Sequence, residues 1–133
     1  MTEFRKVTDR FSVSPQIALA DLAAASAQGF TLVINNRPDG ESPDQPTSAE
    51  MEAAARAAGL DYIYAPVMGR PGQAAVEAVR DALVGRSGKV LAYCRSGTRS
   101  IYTWALGQAG AVEPEVLLRQ GAEAGYDLSP VVG

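Results

Sequence analysis

"KVLAYCRSGTRS", residues 89–100, changes character halfway along its length. The first half is an apolar run of strand type. The second half mixes glycine, hydroxyls and arginines, and the sequence after it becomes helical. Cys94, the one cysteine of the chain, stands at the junction. A strand that passes through a short glycine turn into a helix is the unit of parallel α/β sheets, which bind ligands at the carboxyl ends of their strands.

The flanking segments repeat this alternation. "RFSVS" (10–14) is a short extended segment, and Pro15 and Asp21 then lead into an alanine-rich helix at about 19–28, with Gly29 as its C-cap. "FTLVIN" (30–35) reads as a buried strand, and the proline-rich "NRPDGESPDQP" (36–46) as a loop. Thr47 and Glu50 have capping-box spacing and open a helix running to about 58, stopped by Gly59. "DYIYAPV" (61–67) is the next strand, and "MGRPG" turns the chain. From Gln73 to Val84 the apolar residues Ala75, Val76, Val79, Leu83 and Val84 recur at helical spacing. "SGKVLAYC" (87–94) is the last clear strand, followed by helices at about 99–109 and 114–125. The expected fold is a single α/β domain over residues 1–133, with a mostly parallel central sheet of four or five strands flanked by helices on both faces.

Composition narrows the function. The chain has 133 residues, 47% of them hydrophobic and 20% charged, the balance of a globular domain with a real core. A net charge of −3 gives no basic field, so neither nucleic acid nor membrane is an expected partner. No apolar run approaches the ~20 residues of a membrane span, and "MTEFRKVTDRF" lacks a signal-peptide core. One cysteine cannot close an internal disulfide, so a cytoplasmic setting is expected. Histidine is absent, which removes imidazole catalysis and the commonest zinc ligand. No metal and no cofactor are expected.

The turn suits an anion. The N–H groups of Arg95, Ser96, Gly97 and Thr98 can curl round one at the positive end of the following helix. That dipole and Arg99 both favour the thiolate, the nucleophilic form of a cysteine. For that role Cys94 should be open to solvent. A lone cysteine is more often a small buried hydrophobe, but strand, cysteine, glycine turn, arginine and helix in sequence favour the functional reading.

"YCRSGTRS", with "VINNRPDGES" upstream and "YIYAPV" between, resembles the phosphatase-like domain of the beta-lactamase-hydrolase-like proteins over roughly residues 3 to 110. Members of that family also carry the name sulfurtransferase. The resemblance implies the fold of dual-specificity and tyrosine phosphatases, whose signature is Cys-x5-Arg. It implies Cys94 as nucleophile, Arg99 as the oxyanion clamp and Ser100 as the hydroxyl assisting the departing thiolate.

Two departures bear on the chemistry. Four residues, not five, separate Cys94 from Arg99, and the position of the phosphatase arginine holds Ser100. This shorter loop is similar to that of the rhodanese sulfurtransferases, although their upstream Asp-x-Arg and Gly-His patterns are missing. Where dual-specificity phosphatases place a general-acid aspartate stands Met68, followed by Gly69 and Arg70, and Tyr93 replaces the usual histidine before the cysteine. Asp39 and Glu41 are the nearest candidates for a replacement acid, though carboxylates in such a loop are commonly just solvated. Arg37 reads as a surface ion pair more readily than as pocket lining, and Arg95 as a recruiter of an anionic substrate tail. Trp104, Tyr102, Tyr62 and Tyr64 read as core or pocket wall.

The favoured expectation is a sulfurtransferase that carries a persulfide on Cys94, taking a small anionic or sulfane-sulfur substrate and delivering to a thiol acceptor, a protein among the candidates. A cysteine-dependent phosphatase with a phosphocysteine intermediate is the alternative. A non-catalytic anion-binding module is the third.

Overall fold

A computed structural model describes residues 3–133. In chain order the elements are β1 (Arg5–Lys6), β2 (Phe11–Ser14), α1 (Asp21–Ala27), β3 (Phe30–Asn35), α2 (Ser48–Ala57), β4 (Asp61–Tyr64), α3 (Gln73–Gly85), β5 (Lys89–Tyr93), α4 (Thr98–Gln108) and α5 (Pro114–Glu123). The sheet runs β1-β2-β5-β3-β4. β2, β5, β3 and β4 are parallel, and only β1 is antiparallel to its neighbour. The expected α/β architecture is therefore present, with β5 in the middle.

Alternation along β5 explains its place. Val90 and Ala92 face a core shared with α3, α4 and α5, while Leu91 and Tyr93 face a second core shared with α1 and α2. A strand covered on both faces has no polar side, hence its continuous apolar run. In β3 a register shift between Phe30 and Leu32 turns Phe30 to the α1–α2 side, while Leu32 and Ile34 face the other. The Thr47–Glu50 capping box is formed in both directions, with Thr47 Oγ1 accepting from Glu50 N–H and Glu50 Oε1 from Thr47 N–H. Gly29 ends α1 at φ +93°, a backbone state that other residues rarely adopt.

Three expectations are corrected. β4 stops at Tyr64 instead of 67: Ala65 N–H and Val67 N–H still reach the Asn35 and Asn36 carbonyls at 2.9 Å each, but Pro66 between them has no N–H to continue a ladder. β5 spans 89–93, so Cys94 lies just beyond the strand. Val84 is 82% exposed, whereas Ala75 and Val79 are buried. Five residues past Val79 is well off that helix face. No helix of the described residues is long and apolar enough to cross a membrane.

Candidate active site

β5 lies between two parallel neighbours, so its carboxyl end opens in the middle of the sheet edge. Cys94 N–H donates to the Ser14 carbonyl of β2 at 3.4 Å, and the Tyr93 carbonyl accepts from Asn36 N–H at 2.8 Å. The chain then turns at Gly97, the N-cap of α4, with φ +90°. There the Gly97 N–H donates to Cys94 Sγ at 3.1 Å. The first helical bond runs from Ile101 N–H to the Gly97 carbonyl, which leaves the N–H groups of the preceding turn outside the helix ladder. Cys94 has no exposed surface, contrary to the accessibility expected of it. The short loop that follows folds back on the sulfur through the Gly97 N–H.

Arg99, in the first turn of α4, uses three of its five donors. Nη1 donates to Glu41 Oε2 at 2.7 Å and to the Val67 carbonyl at 2.9 Å, and Nη2 donates to Glu41 Oε1 at 2.8 Å. The Nε–H and the second Nη2–H, side by side on one guanidinium edge, are the remaining pair. Glu41 raises the pKa of Arg99 first, and nearby Cys94 adds to the rise. That edge is suited to a second oxyanion.

Glu41 also accepts from Arg37 Nε at 3.1 Å. Hydrogen bonds from Arg99 dominate, with Arg37 adding, and they lower the Glu41 pKa to about 2 against the partial burial that opposes them. Arg37 is buried, 5% exposed, and its Nη1 donates to Gln16 Oε1 at 3.1 Å, so the surface-pair reading of Arg37 is corrected. Proximity of Arg37 and Glu41 at four residues' spacing inside a proline-rich loop was the available signal.

Of the two candidate acids, Glu41 has no proton to give. Glu41 is ionised, and the Asp39 carboxylate accepts from Ser48 N–H at 2.7 Å, at the start of α2. Met68 is 80% exposed, beside the Val67 carbonyl that steadies Arg99.

The loop residues divide. Arg95 is exposed, and its carbonyl accepts from Gln16 N–H at 3.2 Å. Ser96 and Thr98 bond each other through their hydroxyls at 3.0 Å, and the Ser96 carbonyl accepts from the Tyr126 hydroxyl at 2.8 Å. Ser100 is fully buried and its Oγ makes no hydrogen bond. Tyr126, about thirty residues downstream, carried no signal in the sequence. Beneath the site, Tyr62 Oη meets Ser48 Oγ at 2.8 Å and Asn35 Nδ2 at 3.0 Å, so it belongs to a buried polar cluster. Burial raises the pKa of Tyr93, whose hydroxyl has no partner. Trp104 stacks on Phe11 at 5.6 Å, within the core. Among the described residues no group of three or more acidic, cysteine or histidine side chains could hold a metal.

Known proteins share this fold. A Neisseria meningitidis structure described as a candidate phosphatase matches with a TM-score of 0.82 and 31% identity, covering 94% of this chain and 90% of that one. The fold extends to Tk-PTP in its active form, at a TM-score of 0.75 and 16% identity over 95% of this chain and 87% of that one. The beta-lactamase hydrolase-like protein of Agrobacterium fabrum is 36% identical over 92% of this chain, which spans only 29% of that relative's length. The preference for sulfur transfer over phosphoryl transfer finds no support in these comparisons, which include a structure described as a candidate phosphatase. A family model described as "Beta-lactamase hydrolase-like protein, phosphatase-like domain" matches residues 3–111, from β1 through the Cys94 loop to the end of α4, and the chain belongs to that family.

Proposed function

We propose that this domain is a cysteine-dependent phosphatase acting on phosphate monoesters with good leaving groups. The observation that supports it most is the placement of Cys94 just past the central strand, with Arg99 in the first turn of the helix that follows, in a fold shared with a candidate phosphatase. The Cys94 thiolate attacks phosphorus. An S–P bond forms, the P–O bond to the leaving group breaks, and the alkoxide or phenolate departs with the electron pair. Gly97 N–H and Arg99 take up charge on the phosphoryl oxygens. Water then attacks the phosphocysteine, the S–P bond breaks, its proton passes to solvent, and thiolate and phosphate are released. A positioned acid is typically worth ~10²–10⁴ in rate. Without one, leaving groups that depart as stable anions are favoured.

A second reading, sulfur transfer, is favoured by the four-residue spacing between Cys94 and Arg99 and by the same missing acid. There the thiolate attacks the sulfane sulfur of thiosulfate. An S–S bond forms, the original S–S bond breaks, and sulfite leaves with the electron pair. A thiol or cyanide then removes the sulfur. Aryl phosphate and thiosulfate turnover measured on one preparation, with Cys94→Ser as control, decides between the two. Phosphate release abolished by Cys94→Ser supports the first reading. Persulfide on Cys94 without phosphatase turnover supports the second.

A further inference from the structure

Past α5 the chain turns through Gly125, and Tyr126 N–H bonds back to the Gly121 carbonyl at 2.8 Å. The turn lays Tyr126 against the Cys94 loop. Its hydroxyl donates to the Ser96 carbonyl at 2.8 Å, and a Cβ at Gly97 would meet Tyr126 Oη at 2.1 Å. Arg5 of β1 lies 5.2 Å from the centre of the ring. Burial raises the pKa of the phenol most. Arg5 pulls it partly back and Cys94 adds to the rise, so the hydroxyl stays a donor at neutral pH.

The Ser96 carbonyl and the Gly97 N–H belong to one peptide group. A trans peptide is planar, with its C=O and N–H pointing in opposite directions. A hydroxyl that fixes the carbonyl on one side therefore fixes the N–H on the other, and that N–H donates to Cys94 Sγ at 3.1 Å. Such a lock has work to do here. Glycine tolerates either sign of φ, so the peptide before Gly97 can turn over at little cost. Turned over, it would aim a carbonyl oxygen at the sulfur and at any bound anion.

We propose that Tyr126 is a positioning residue of the Cys94 loop, its hydroxyl latching the Ser96–Gly97 peptide so that the Gly97 N–H faces the sulfur and the oxyanion bound beside it. The proposal rests on reading that loop as the active site. Tyr126 lies outside residues 3–111, the part matched by the family model, so the latch comes from a segment beyond the shared motif.

Tyr126→Phe removes the hydroxyl and keeps the ring. In ¹⁵N–¹H spectra the Gly97 amide proton should move upfield and exchange faster, with the melting temperature nearly unchanged. The dissociation constant for orthovanadate should rise roughly two- to tenfold, the range of one neutral hydrogen bond. Arg5→Met, which spares the hydroxyl, should leave the Gly97 resonance in place. A Gly97 amide that neither shifts nor exchanges faster in Tyr126→Phe overturns the latch, whatever the enzyme does. A shifted Gly97 with unchanged vanadate affinity overturns its role in anion binding. If the wild type binds no vanadate while Gly97 moves as expected, the latch stands and the active-site reading fails.

Discussion

Glu41 grips Arg99 by both terminal nitrogens, Oε2 at 2.7 Å from Nη1 and Oε1 at 2.8 Å from Nη2. The carboxylate comes from the loop before α2 and the guanidinium from the first turn of α4, so the pair joins opposite sides of the sheet edge. Its consequence is directional. With one guanidinium edge filled by Glu41, the Nε–H and the second Nη2–H are left for another oxyanion.

Glu41→Gln should therefore lower kcat more than it raises KM. The amide can still accept one of the two hydrogen bonds, so Arg99 is loosened but not released. Removing a negative charge near the site also eases anion entry. A loss in kcat of roughly tenfold, at similar or lower KM, is expected from one charge-assisted hydrogen bond in a partly exposed setting. An unchanged kcat, measured by steady-state kinetics, would count against an orienting role.

The same carboxylate sets an acid limb of stability. Glu41 has a pKa of about 2 in the fold, against 4.5 for the ordinary group. The unfolded chain thus binds the proton first on acidification, and stability falls as pH drops from about 4.5 towards 2. Above that window the contribution is fully present. Melting temperatures between pH 2.5 and 6 should fall less steeply for Glu41→Gln than for wild type. Parallel curves would mean that the ion pair adds nothing to folding.

Arg99→Ala removes the clamp itself. Losing one preorganised oxyanion contact typically costs 10²–10³ in rate, and kcat/KM on an aryl phosphate should drop by about that much. Cys94 alkylation by iodoacetamide should persist in this variant, because the sulfur is not removed. Turnover within threefold of wild type would show that Arg99 does not touch the reacting group.

Most of the scaffold was readable because its signals are local. Alternation in "KVLAYC", the Thr47–Glu50 box and Gly29 each report on neighbours a few residues away. β1 was missed because two residues carry no period, and its pairing with β2 is a tertiary event. The strand–turn–helix placement of Cys94 and Arg99 was likewise legible from one continuous motif. The burial of Arg37 under Glu41 and Gln16 was not, since nothing in a proline-rich loop says that it folds inward. Tyr126 was hidden for a plainer reason: its partner, Ser96, is thirty residues away.

The last prediction concerns the acid that is missing. The segment after β4 brings the Val67 carbonyl to 2.9 Å from Arg99 Nη1, so the next residue, Met68, stands at the rim of the site, 80% exposed. An aspartate there is solvated and pays no burial cost. It should also lie near the leaving-group side of an ester whose phosphoryl group rests between Cys94 and Arg99. In wild type, kcat/KM across a series of aryl phosphates should fall steeply as the leaving phenol becomes less acidic, because the phenolate departs unprotonated. Met68→Asp should flatten that dependence, raising the rate on poor leaving groups by up to the ~10² at the low end of general-acid catalysis, while leaving the best substrates unchanged. It should also introduce a falling limb above the carboxyl pKa for poor leaving groups alone, since only the protonated acid can donate. A shallow dependence already present in wild type would mean that a proton donor already serves this site.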